Sequence, residues 1–198
     1  MAKRSAAVVA ASSSSSISSA GITAPRPCNY FLLKSEPKEF SIQALSDSPG
    51  QTSCWSGVRN HAAKNIMMSA KKNDVFLFYH SSDGKRTGIY GTGTICGEAY
   101  PDPAQFDASS PYYDRKMLGT SPERQWRAFD VKLESIFAKP MLLLELKSLK
   151  DAGNDILAGM ALFKFSRLSV QSVSAAEFAQ VMRLVEVPAC PPTKKAKT

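Results

Sequence analysis

Two histidines and four cysteines are the chain's whole stock of soft metal ligands, and none of them is paired in sequence. His61 and His80 have no second ligand at a useful spacing, and Cys28, Cys54, Cys96 and Cys190 form no CxxC pair. Neither a bound metal nor a disulfide framework is therefore expected. Such sparse cysteine usage fits a reducing intracellular compartment. No apolar run approaches the roughly 20 residues of a membrane helix, which points to a soluble protein without a membrane partner. A Gly-rich phosphate loop is also missing, since Gly88, Gly91 and Gly93 fall inside a strand pattern rather than ahead of a helix. Nucleophilic catalysis would need Cys54 or a serine beside His61 or His80, oriented by a carboxylate such as Asp102. Nothing local announces that geometry. No catalytic residue and no cofactor is assigned, and a monomer is expected.

Acids are absent from both ends. Residues 1–29 carry Lys3, Arg4 and Arg26, and residues 188–198 carry Lys194, Lys195 and Lys197. Most of the formal net charge of +8 sits there, leaving 19 basic and 17 acidic residues between Tyr30 and Val187. Tail cations bind phosphates without sequence preference and with strong salt dependence. Residues 1–29, rich in Ser and Ala, lack the apolar surface to fold and read as a disordered tail. Their composition also suits an organellar transit peptide, whereas Pro191–Lys197 resembles a short nuclear localisation signal. The nucleus is the expected location, with an organelle as the alternative. One folded domain is expected over residues 30–187, followed by a basic tail at 188–198.

Within that domain, Tyr30–Leu33 reads as an opening strand stopped by Glu36-Pro37. Ser41 can cap a short helix through Leu45, and Ser46–Ser53 reads as a loop. Ala62, Ala63, Ile66, Met67 and Ala70 mark a helix that Asn73 can terminate in a left-handed conformation. Val75–His80 reads as a strand buried on both faces. From Ile89 to Gly97 one strand face is nearly bare, which marks a barrel bend or a close approach; a bend is the safer reading. Residues 100–122 form a long stretch of little periodicity, of the kind that is functional or mobile. Phe129, Val131 and Leu133 alternate with polar residues in a strand. Pro140 can open a helix carrying Leu142 to Leu149. Phe165–Val173 is the expected last strand, and Ser174 with Glu177 forms a capping box for a final helix. About five strands and four helices imply an α+β domain, a small, partly closed β-barrel flanked by helices.

The chemistry concentrates in Cys54-Trp55-Ser56-Gly57-Val58-Arg59-Asn60-His61, where a loop enters a helix. A helix start offers free N–H groups and positive potential, suited to a planar ligand with acceptors or to a phosphate. Trp55, Phe78, Tyr79, Tyr90 and Tyr100 add π faces, and Ser35 and Asn60 add directional hydrogen bonds. Together they suit a flipped nucleobase, stacked on a ring and read at its edge. Aromatics mostly bury, so Trp55 also reads as a core plug and Phe78 as barrel filling.

Five stretches in order resemble the successive motifs of the EVE domain family, within the PUA-like superfamily. They are Phe31–Pro37, Cys54–Asn60, Phe78–Ser81, Glu98–Asp102 and Arg167–Val170. The resemblance covers about Phe31 to Leu184. It implies a PUA-like barrel related to YTH readers of methylated adenine. It further implies a non-catalytic reader of methylated or hydroxymethylated cytosine in DNA, working by base flipping. By motif position Trp55 would stack on the base, while Ser35, Asn60 and the Gly57-Val58 backbone would line the pocket beside Arg59. Tyr79, His80, Tyr100 and Asp102 would shape its wall and rim, and Arg167 and Ser169 would close the far side. DNA with modified bases is thus the expected partner. RNA is the alternative for a YTH-type reader, and a hydrolase or glycosylase acting on the modified base stands behind both. The sequence departs from the family pattern at Phe31, where tryptophan is common, at Ser56, where aspartate is common, and at His61, where an aromatic is usual. The change at Ser56 removes a carboxylate beside the pocket.

Overall fold

Side chains along Tyr30–Ser35 (β1) alternate between two apolar layers, with Phe31 and Leu33 entering one and Leu32 the other. Val75–His80 (β3) does the same, sending Phe76 and Phe78 to the first layer and Leu77 and Tyr79 to the second. Strands that bury both faces belong in the middle of a covered sheet. The computed structural model describes residues 28–185, and β1 and β3 lie side by side and parallel at the sheet's centre.

Parallel neighbours require a crossover. Here it runs through Ile42–Asp47 (α1), Thr52–Trp55 (β2) and His61–Met68 (α2). Ser41 caps α1, its side chain accepting from the Ala44 N–H at 3.0 Å. Asn60 caps α2, accepting from the Ala63 N–H at 3.0 Å. Asn73 adopts φ 69°, the left-handed turn expected after that helix. Gly88–Ile95 (β4) pairs antiparallel with β3 and with the 16-residue strand Arg127–Leu142 (β6). Two edge strands flank this core, β2 on β6 and Val170–Val173 (β7) on β1, and the short Tyr100–Pro101 (β5) pairs with β6.

The seven strands run β2-β6-β4-β3-β1-β7 with β5 off the path, and β2 and β7 stand at opposite edges. The α+β class holds, but the sheet is open rather than a partly closed barrel. Irregular pairing curves it: the register shifts within β4 around Gly91 and Gly93. The bare face of β4 also serves close approach, since a Cβ on Gly93 would lie 2.3 Å from Lys132 O and 2.4 Å from the Phe76 ring.

Other expectations need correction. Thr52–Trp55 is a strand, although Ser46–Ser53 reads as a loop. Pro140 stands inside β6, and the helix starts only at Leu143 (α3, Leu143–Asp151). The residues opposite Ile89 and Gly91 are Met141 and Ile136, so Pro140 falls where the ladder is already broken and no donor is required. The last strand is limited to Val170–Val173: after Asp155–Gly159 (α4) and Ala161–Lys164 (α5), residues 165–169 form a turn in which the Leu168 N–H bonds the Phe165 carbonyl. Ala175–Leu184 (α6) begins with the expected Ser174/Glu177 capping box. These helices cover the second apolar layer, where Leu146, Leu157 and Val181 are fully buried beside Leu77. Except for Cys28 and Asn29, the proposed 1–29 tail lies outside the described residues, as does all of 188–198. Asn29 belongs to the fold: its N–H donates to Asp74 Oδ1 at 3.0 Å, and its carbonyl accepts from Val75.

Candidate functional site

Where β1 and β3 end, a cavity of about 650 Å³ opens beside the first apolar layer. Lys34 and Ser35 reach it from β1, and Glu36, Glu39 and Phe40 from the loop that follows. Cys54 to Val58 contribute from the end of β2, Ser81 and Ser82 from beyond β3, and Ser166, Arg167 and Ser169 from the turn before β7. Tyr112 joins from the long segment between β5 and β6. The cavity therefore mixes rings, hydroxyls and both signs of charge, as ligand sites do.

The expected site residues divide into two groups. Ser35, Trp55, Gly57, Val58, Arg167 and Ser169 line the cavity. Trp55 does so as part of the core: it is only 5 % exposed, with its ring edge-to-face against Phe40 at 6.0 Å and Phe78 at 5.5 Å. Arg59, Asn60, Tyr79, His80, Tyr100 and Asp102 do not line it. Asn60 is spent on capping α2. Tyr79 is buried in the opposite layer, which raises its phenol to about 12. His80 accepts the Ile42 N–H on Nε2 at 3.0 Å, so that nitrogen is unprotonated, and burial lowers its pKa. The Tyr100 hydroxyl donates to Asp130 at 2.7 Å and lies 3.2 Å from Cys54 Sγ. Burial pushes the Cys54 thiol up, the opposite of an activated nucleophile.

Arg59 and Asp102 build one lip of the cavity without facing it. Asp102 is fully buried and accepts from the Gly57 N–H at 3.0 Å, the Ala104 N–H at 2.9 Å and Arg59 Nη1 at 2.7 Å. Arg59 also donates through Nε and Nη2 to the Tyr112 carbonyl, and its guanidinium lies 5.5 Å from the Tyr112 ring centre. Lys64, on α2, donates to the carbonyls of Glu123 and Arg124. The long irregular segment is thus tied down at several points. Tyr112 lies so close over Gly57 that a Cβ there would approach its ring to 2.8 Å, and Gly57 itself has φ +78°. Glycine is required on both counts. The Tyr112 hydroxyl then bonds Glu39 at 3.1 Å, joining this lip to the loop after β1.

Sequence reasoning missed Tyr112, Phe40, Lys34, Glu36 and Glu39. Tyr112 lies in the stretch flagged for its length, but nothing local singles it out. Lys34 and Glu36 flank Ser35 within the first motif. Among the described residues, no three His, Cys, Asp or Glu side chains gather as a metal site, and no helix is long and apolar enough to cross a membrane.

Comparison with known proteins identifies an EVE domain over residues 29–184. Thymocyte nuclear protein 1 of Mus musculus is 39 % identical over 170 residues, covering 80 % of this chain and 74 % of that protein. The Danio rerio protein of the same name is 38 % identical, covering 78 % and 71 %. The crystal structure of human THYN1 protein in complex with 5-methylcytosine-containing DNA superposes with a TM-score of 0.72 at 36 % identity, covering 79 % of this chain and 96 % of that one. A hypothetical protein from Leishmania major superposes at 0.70 with 40 % identity, covering 80 % and 94 %. The family match takes in the whole sheet and every wall of the cavity, and the chain belongs to the EVE domain family.

Proposed function

We propose that the protein is a non-catalytic reader of methylated or hydroxymethylated cytosine in DNA, acting in the nucleus. The cavity between Trp55, Tyr112 and the 166–169 turn is the observation that carries this reading. It is large enough for a nucleobase turned out of a duplex, and the similar human protein was solved with 5-methylcytosine DNA. Trp55 forms the apolar floor, and the half-buried Tyr112 ring, held over Gly57 and bonded to Glu39, supplies a side wall. The Ser35 and Ser169 hydroxyls offer donors and acceptors for the base edge, beside the Gly57-Val58 backbone that lines the wall. The raised thiol of Cys54 and the committed Nε2 of His80 favour binding over chemistry.

Ser56 is exposed at the cavity wall, so a large side chain there obstructs the opening without entering the core. Ser56→Trp should keep its melting temperature and lose discrimination between duplexes carrying one modified or one plain cytosine. Weak, salt-sensitive backbone binding should persist. Retained discrimination with the cavity blocked would move the site elsewhere. RNA strands of the same sequence and an assay for released base belong in the same experiment: preference for RNA or base release would overturn the DNA-reader proposal.

A further inference from the structure

Phe165 is 58 % exposed, a large ring left in water one residue before Ser166, which lines the cavity. Single exposed apolar side chains are ordinary on protein surfaces. What sets Phe165 apart is the firmness of the backbone that presents it. Its N–H donates to Ala161 O at 2.8 Å, and its carbonyl accepts from Leu168 N at 3.2 Å. Gln171, 1 % exposed, donates its amide to both Phe165 O at 2.9 Å and Leu168 O at 3.0 Å. Lys34 reaches across from β1 to Ser166 O at 3.1 Å. A buried amide spent on two turn carbonyls fixes the turn's shape, and that shape keeps the ring outside. Ser166, next in the chain, already lines the cavity, and the cations Lys164 and Arg167 on either side are exposed.

A base drawn out of a duplex leaves a gap in the stack, and the unstacking opposes its extrusion. Minor-groove and architectural proteins insert apolar wedges, Phe among them, between base steps. An exposed phenyl ring on a firmly held turn, next in the chain to a cavity-lining serine and flanked by two cations, has that chemistry. We propose that Phe165 is the wedge that occupies the place of the extruded base, with Lys164 and Arg167 holding the neighbouring phosphates. The ligand is then duplex DNA rather than a loose single strand. This inference rests on the flipped-base reading above.

The test compares wild type and Phe165→Ala by fluorescence anisotropy on three duplexes: one with 5-methylcytosine paired to guanine, one with it opposite an abasic site, and one with plain cytosine. A 2-aminopurine beside the target reports unstacking. Phe165→Ala should melt like wild type, because the ring is exposed. It should bind the paired methylated duplex about tenfold more weakly, and match wild type on the abasic duplex, where extrusion is already cheap. Phe165→Trp should restore paired binding. Equal affinity of Phe165→Ala and wild type for the paired duplex would overturn the wedge while leaving the pocket standing. So would an equal loss on paired and abasic duplexes, which marks a plain contact. Wild type that does not prefer the methylated duplex would overturn the pocket and the wedge with it.

Discussion

The two lips of the cavity are both irregular backbone, yet they are fastened in different ways. On one side a segment of more than twenty residues lies between β5 and β6, and it is held by charge. Asp102 is wholly buried, its partner Arg59 is 21 % exposed, and the guanidinium also holds the Tyr112 carbonyl. On the other side a turn of a few residues leads into β7, held by the neutral amide of Gln171 and, at Ser166 O, by the Lys34 amine, with no ion pair among the described residues. The lengths account for the difference. Each ordered backbone residue costs about 1–2 kcal/mol of entropy, so the long segment needs more and stronger fastenings than the short turn. Charged fastenings carry a risk that neutral ones do not, because losing one partner strands the other in the interior.

The largest expected effect follows from that risk. Arg59→Ala removes the only basic side chain bonded to Asp102 among the described residues and leaves a buried carboxylate with two backbone N–H donors. A loss of about 3–5 kcal/mol in urea unfolding is expected, the range for breaking a buried pair from one side. A loss under about 1 kcal/mol, typical of surface pairs, would mean the lip is not held by charge at all. Gln171→Ala should cost less, about 1–3 kcal/mol, for two carbonyls left without their amide. Amide exchange at Leu168, whose N–H bonds Phe165 O, should quicken in this variant. If Gln171→Ala proved the costlier change, the contrast between the lips would be reversed.

The same contrast explains what was legible in the sequence. Local rules found what is decided locally: the caps at Ser41, Asn60 and Ser174, the left-handed Asn73, and the doubly buried β3. The open sheet was not legible, because strand closure depends on which edges meet rather than on any strand's own pattern. β2 was hidden because Thr52 to Cys54 are polar or partly exposed and follow a Pro-Gly turn. Half of the candidate site was read in place, since Ser35, Trp55 and Gly57 sit in motifs that face the cavity directly. Tyr112 could not be read this way. It reaches the wall through Arg59, a residue 53 positions away, and no spacing rule encodes that bond. Arg59 and Asp102, expected at the pocket, instead hold the segment that carries Tyr112 without lining the cavity.

Lys34 offers the finest test, because it both lines the cavity and ties β1 to the Phe165 turn. Burial lowers its pKa from 10.5 to about 8. In the unfolded chain the amine keeps its proton up to about 10.5, whereas in the folded protein it loses it from about 8. Between those values the unfolded state binds more protons, so Lys34's contribution to stability rises with pH across that window and is flat below it. Tyr79, raised to about 12 by burial, acts in the opposite sense: above pH 10 the unfolded chain loses the phenol proton first, and stability falls. Other buried phenols and thiols add to that fall, so the wild-type curve alone is ambiguous. Lys34→Met isolates the one amine. The difference in melting temperature between wild type and Lys34→Met should be constant below pH 8 and should move in favour of wild type from pH 8 to 10.5. The shift should be small, because the amine remains partly solvated at the cavity wall. A difference that stays flat to pH 10.5 would show an ordinary lysine in water, and the second lip would then be held by Gln171 and backbone hydrogen bonds without it.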